Sequence, residues 1–266
     1  MGIITTEVNP PRSRERGLRP SVQWSLVLAV AVLAQPATLA AQLDSTWAIP
    51  PVSTKLHWWH GAVVIGGVSA LMLLDHAGRN FFQDNRSHTS NDIASGLRHF
   101  GQPEVFGTVT LGLVGAGLIS GNQEISRVGG RLAATLALAG AAQTGFKLAL
   151  GRPRPNASSD VDGFVPFSGQ DAMPSGHTAI AFALATALAD DIHRPWASVG
   201  LYTMAAGVGW SRLNDNKHWV SDVAMGAMLG ITSAKLVNGR WQIFHLHPPT
   251  ILLSPQRAGL VWQVTF

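Results

Sequence analysis

The chain has 266 residues, 46% of them hydrophobic and only 13% charged, with 28 glycines, a formal charge of +4 and no cysteine. That composition excludes a disordered chain, while a mean hydropathy of +0.18 is only moderate for a polytopic membrane protein. Without cysteine there is neither a disulfide nor a thiolate metal site, and without a basic stripe interleaved with aromatics a nucleic-acid partner is excluded.

The length allows one large domain or two small ones, and the pattern reads as one. Arg12, Arg14, Arg16 and Arg19 precede an apolar run over 24–34, and 36–41 supplies small residues. This order predicts a signal peptide over 1–41, cleaved near Ala40 or Ala41; an uncleaved anchor is the alternative, and the short apolar run argues against it. Residues 42–56, with Pro50 and Pro51, read as an extended linker. Residues 57–238 then form a helical domain whose apolar segments are 58–74, 105–120, 132–150, 178–189, 197–210 and 223–237. Polar or turn-rich stretches over 75–104, 121–130 and 190–195 separate them. None of the six is a clean run of about 20 lipid-suited residues, so membrane helices and the buried helices of a globular bundle both fit. Past Asn238 the tail, 239–266, has two short apolar runs around 255–259 and reads as a pair of strands.

Three polar stretches sit at the ends of these segments. Lys147, Arg152 and Arg154 gather where Pro153 and Pro155 stop a helix, and three cations there repel one another unless an anion joins them. Pro174-Ser175-Gly176-His177 opens the next apolar run, where free backbone N–H groups and the helix dipole favour an oxyanion. Ser211 and Arg212 close a segment and are followed by His218 and Asp222. These last two share a face if the helix includes both, so that the carboxylate orients the ring. Cationic clamp, oxyanion donors, two histidines and a carboxylate are the parts of a metal-free phosphoryl-transfer site.

Lys147 with six residues before Arg154-Pro155, then Pro174-Ser175-Gly176-His177, then Ser211-Arg212 with five residues before His218 and three more before Asp222, fill eleven positions in order. They resemble the three-part signature of the type-2 phosphatidic acid phosphatase and vanadium haloperoxidase superfamily. The resemblance covers 147–222 by motif and 58–237 by helical pattern. It implies an all-α fold, a six-helix bundle of the acid phosphatase/vanadium haloperoxidase type, here with a short C-terminal β-like tail. It also implies roles: His218 attacks phosphorus to form a phosphohistidine, Asp222 holds the other ring nitrogen, and His177 protonates the leaving oxygen and then activates water. Lys147, Arg154, Ser175, Gly176 and Arg212 bind the phosphate oxygens, whereas Arg152 falls at a position the signature leaves open. No metal or other cofactor is implied.

The expectation is therefore a phosphatase of the bacterial cell envelope, exported, and periplasmic or membrane-associated. Its partner is a phosphorylated lipid at a membrane surface or a small organic phosphate. Three alternatives stand beside it: a haloperoxidase with vanadate as cofactor on His218, a phosphotransferase to an alcohol, and a non-catalytic envelope protein with a vestigial anion site. The site collects at one end of the bundle, and if all six helices crossed a membrane that end would be cytoplasmic, with or without the anchor. A periplasmic site thus favours a soluble or peripheral bundle. Other polar residues read as structural: His57 and His60 beside Trp58 and Trp59 as a helix anchor, and His245 and His247 as a surface strand. Asp75 and His76 are adjacent on a helix and do not face each other, and Asp160, Asp162 and Asp171 read as a solvated loop.

Overall fold

The structure, a computed structural model, describes residues 54–243, 250–254 and 257–261, with side chains up to Ile243. The expected signal peptide, most of the expected linker, and His245, His247 and Phe266 lie outside the described residues. The described residues run β1 (Thr54–Leu56), α1 (Trp58–Met72), α2 (Asp75–Asp84), α3 (His88–His99), α4 (Pro103–Ser120), α5 (Gln123–Leu150), α6 (Gly176–Ile192), α7 (Pro195–Asn214), α8 (Val220–Val237), β2 (Trp241–Ile243), β3 (Thr250–Ser254) and β4 (Arg257–Val261).

The helix ends follow from local chemistry. Pro103 and Pro195 start α4 and α7, where a missing N–H costs nothing. The Asn122 side chain accepts from the amides of Glu124 and Ile125 at 3.0 and 3.2 Å to cap α5. This helix begins nine residues before the expected Leu132, because the expected turn over 121–130 is mostly helix. Gly129 is there for packing: a Cβ on it would meet the backbone nitrogen of Val114 at 2.8 Å, so α5 and α4 lie backbone to backbone. Likewise Gly226 and Gly230 of α8 leave no room for a Cβ against Ser175 and Ala179, which draws α8 onto α6.

α6 is the central helix. Its Ile180, Ala183 and Ala187 pack with Phe106 of α4, Leu132 and Ala139 of α5 and Ala234 of α8. Its Ala181 and Ala185 pack with Ala205 and Val208 of α7. Six of the helices (α1 and α4 to α8) correspond to the six apolar segments. The stretch 75–104, expected only as a polar separator, holds α2 and α3 as well. Their polar side chains are used to hold the α7–α8 junction. Arg79 donates to Asn216 at 3.2 Å, Gln83 to the Leu213 carbonyl at 3.0 Å, and Asn214 to Asn91 at 3.0 Å.

β1, expected as linker, pairs in parallel with β2, joining the two ends of the helical region. In the tail β3 and β4 pair antiparallel, Thr250 opposite Val261. Among the described residues, two stretches are long and apolar enough, by length and composition, to cross a membrane, His88–Ser120 and Val220–Val237. The pair α1 and α2, bent by 53°, passes the same test together. α1 and α4 also expose large apolar side chains, Val63 and Ile65 on one and Leu111 and Ile119 on the other.

Candidate active site

Four chain breaks meet at one end of the bundle: the exit of α5, the entry of α6, the exit of α7 and the entry of α8. α5 ends at Gly151, whose φ of 56° is the left-handed conformation that glycine adopts without strain, and its amide returns to the Lys147 carbonyl at 2.9 Å. The following loop is stitched back to its own start, Val165 to the Gly151 carbonyl at 3.1 Å and Ala172 to the Arg152 carbonyl at 3.0 Å. Its Ala172 end is thereby fixed beside His218.

The side chain of His218 is buried, and its Nδ1 lies 2.7 Å from the Ala172 carbonyl oxygen. A carbonyl only accepts, so Nδ1 carries the proton and Nε2 keeps the lone pair. The Asp222 carboxylate, expected to hold this ring nitrogen, stands 3.7 Å away. Its Oδ2 accepts the Trp219 amide at 2.8 Å and its Oδ1 accepts Arg152 at 2.6 Å. The reason is the helix start. α8 begins at Val220, so His218 lies before it and Asp222 caps its first turn instead of sharing a helical face with the histidine. Asp222 therefore acts on His218 chiefly through its charge, and Ala172 sets the ring.

Arg154 grips Asp171 with both arms, at 2.8 and 2.6 Å, and the Lys147 ammonium stands 3.6 Å from the same carboxylate. Asp171, expected in a solvated loop, thus sits in the cation cluster, and Arg154 holds its carboxyl below the usual range. Asp160 and Asp162 form a local turn of their own. Arg212, nearly buried at the end of α7, donates to Asp215 at 3.2 Å, and Asp215 also takes Arg98 of α3 at 3.2 Å. The Arg212 Nε is buried with no partner among the described residues.

His177 stands in the first turn of α6. Burial first, then the charges of Arg212, His218, Lys147 and Arg154, push it down to about 4. Burial also lowers His218, against the pull of Asp222, and lowers Lys147, against the pull of Asp171. Ser175 is the exception among the expected phosphate binders: its side chain is wholly buried and shares a hydrogen bond of 2.9 Å with Thr178. The Ser175 amide goes to the Asp222 carbonyl at 2.9 Å, which leaves Gly176 as the next amide at the helix start. Ser211 bonds within its own helix, to the Val208 carbonyl at 2.7 Å.

Sequence reasoning missed how far Arg152 and Asp75 are involved. Arg152 is wholly buried between Asp222 and Asp75, with its guanidinium 5.5 Å from the centre of the Trp219 ring. The available signal was an arginine between two prolines directly beside the expected clamp. Among the described residues no group of three or more His, Asp or Glu is placed to hold a metal ion.

Residues 129–243 match the model of the PAP2 superfamily. Over 108 residues the chain is 40% identical to a lipid A 1-phosphatase of Porphyromonas gingivalis, an alignment covering 40% of this chain and 22% of that protein. The chain thus matches about a fifth of that curated relative's length. Two crystal structures are similar in fold. One is LpxE of Aquifex aeolicus, at TM-score 0.47 and 19% identity, covering 62% of this chain and 94% of that one. The other is a transmembrane PAP2-type phosphatidylglycerolphosphate phosphatase of Bacillus subtilis, at TM-score 0.49 and 20% identity, covering 82% and 92%. The matched segment, 129–243, holds every residue of the clamp and both histidines.

Proposed function

We propose that this chain hydrolyses the phosphate of a phosphorylated lipid at a membrane surface of the bacterial envelope, through a phosphohistidine on His218. The observation that carries the reading is the bond from His218 Nδ1 to the Ala172 carbonyl at 2.7 Å, which leaves Nε2 as a nucleophile with a lone pair inside a cluster of cations. Nε2 attacks phosphorus as the bond to the leaving oxygen breaks, and that oxygen takes a proton from His177. Water then gives a proton back to His177 and its oxygen attacks phosphorus, which releases inorganic phosphate and restores His218. Lys147, Arg154, Arg212 and the Gly176 amide hold the non-bridging oxygens as charge redistributes in the transition state. Those side chains supply the positive charge, so the cycle runs without a metal.

His177 is neutral near neutral pH, because its burial and, after that, the surrounding cations oppose its protonation. A phosphate dianion offsets that repulsion, so substrate binding itself arms the acid. Lipid as the substrate class is supported by the apolar faces of α1 and α4, by the stretches able to cross a membrane, and by the lipid A 1-phosphatase relative. Export is supported by the Arg-rich start and apolar run of the first 41 residues.

The test is phosphate release by the purified full chain in EDTA, over phosphorylated lipids in mixed micelles and soluble phosphate esters. Release from lipids that EDTA leaves intact is expected. Release from soluble esters alone would replace the lipid by a small organic phosphate, and a requirement for added Mg²⁺ would overturn the mechanism.

A further inference from the structure

Asp75 opens α2, more than seventy residues before the first signature residue, and its side chain is wholly buried. Its Oδ2 accepts from Arg152 at 2.7 Å and from the Ser221 hydroxyl at 2.6 Å, and its Oδ1 accepts the Ser221 amide at 2.9 Å. Arg152, equally buried, spends its other terminal nitrogen on Asp222 at 2.6 Å and on the Ser221 oxygen at 2.7 Å. The remaining donors go to the Val161 carbonyl at 3.0 and 2.8 Å. Every polar atom of the group is engaged, and two carboxylates share one guanidinium.

Stability alone does not account for the second carboxylate. A single Arg–Asp pair is already neutral, and adding another buried charge costs desolvation that a neutral side chain would avoid. The arrangement makes sense in terms of what stands in front of it. If Arg152 were paired with Asp222 alone, its charge would cancel the carboxylate 3.7 Å from His218. With Asp75 on the far side of the guanidinium, the three groups together carry one net negative charge.

We propose that Asp75 is a positioning residue for phosphoryl transfer, which acts through Arg152 and Ser221 to fix Asp222 and keep net negative charge behind the His218 ring. This rests on the reading of His218 as the nucleophile. When Nε2 gives its lone pair to phosphorus and the bond to the leaving oxygen breaks, Nδ1 keeps its proton on the Ala172 carbonyl and the ring becomes cationic. Negative charge behind the ring stabilises that state more than the neutral ring before attack. The other charged or titratable groups that act on His218 are the cations Arg212 of α7 and Arg154 of the loop, the Asp171 carboxylate that Arg154 holds, and His177 of α6, so the negative charge beside Nδ1 rests on Asp222 and its support.

The experiment measures kcat and KM against pH for the full chain in four forms: wild type, His218→Ala, Asp75→Asn and Ser221→Ala, with a thermal unfolding curve for each. For folded Asp75→Asn the expected result is a kcat lower by at least about tenfold, a KM within about threefold, and an acid limb of kcat/KM moved to lower pH, because a ring with less negative charge behind it holds its proton less tightly. Ser221→Ala, which removes only the bridging hydroxyl, changes in the same direction by a smaller factor. If Asp75→Asn does not fold, Ser221→Ala decides by the same readouts. A folded variant with unchanged kcat and acid limb, or a loss that appears in KM alone, overturns the role of Asp75 while wild type against His218→Ala still stands. A wild type without turnover on any phosphate overturns both.

Discussion

The His218 Nδ1 donates to the backbone carbonyl of Ala172 at 2.7 Å, while the Asp222 carboxylate lies 3.7 Å from the same nitrogen with its own oxygens committed to Trp219 and Arg152. The orienting contact for the proposed nucleophile is thus a main-chain atom that no substitution removes, and the carboxylate contributes field and support. Asp222→Asn is expected to lower kcat by about a hundredfold, less than the thousandfold or more of His218→Ala. Steady-state rates of the two variants check the order. An Asp222 variant as dead as His218→Ala, with its fold intact, would contradict it.

Arg152 is the shared cation of two buried carboxylates, so its loss is felt in folding before catalysis. Arg152→Met leaves Asp75 and Asp222 without their shared cation and is expected to destabilise the protein by about 3–5 kcal/mol. Denaturant unfolding in one detergent, wild type beside variant, measures it. A change below about 1 kcal/mol would mean that the pair is far less coupled than its geometry implies.

Asp171 bonds Arg154 and stands 3.6 Å from Lys147, two of the proposed phosphate binders, and so competes with phosphate for them. Because Asp171 is about half exposed, the competition is modest. Asp171→Asn is expected to tighten vanadate or phosphate inhibition by about fivefold. Weaker inhibition in the variant would show that Asp171 instead organises the clamp for the anion.

The sequence brought the clamp residues and the two histidines to one end of a bundle because each is a charged or titratable residue beside an apolar helix-length run. Six of the helices were legible for the same reason. What it hid was pairing across distance. Asp75 read only as the helix neighbour of His76, which it does not face, since nothing local tells that it meets Arg152, 77 positions on. α2 and α3 read as a separator because their polar side chains, Arg79, Gln83, Asn91 and Arg98, serve the α7–α8 junction and mask any apolar stripe. Gly129 and Gly130 looked like a turn because close helix packing and turns ask for the same residue.

His177 gives a signed pH test. Its burial and the nearby cations hold it at about 4, below its ordinary 6.5, so between those values it is neutral as long as no anion joins it. An anion raises it, so binding takes up a proton in that window. Affinity for sulfate, whose charge is constant there, is expected to rise as pH falls toward about 4 and then level off. Calorimetry in two buffers of different ionisation heat counts the proton, and His177→Ala should reduce the uptake. The same depression means that the unfolded chain binds this proton first, so His177 makes the fold less stable as pH drops from 6.5 toward 4.

A covalent phosphohistidine is tested by trapping labelled phosphate from a phosphorylated lipid on the protein within one turnover, wild type beside folded His218→Ala. The account predicts a label on His218 that survives alkali and is lost in acid, and none on the variant. A wild type that turns over without any such label, or a variant that still releases phosphate at the wild-type rate, would contradict it.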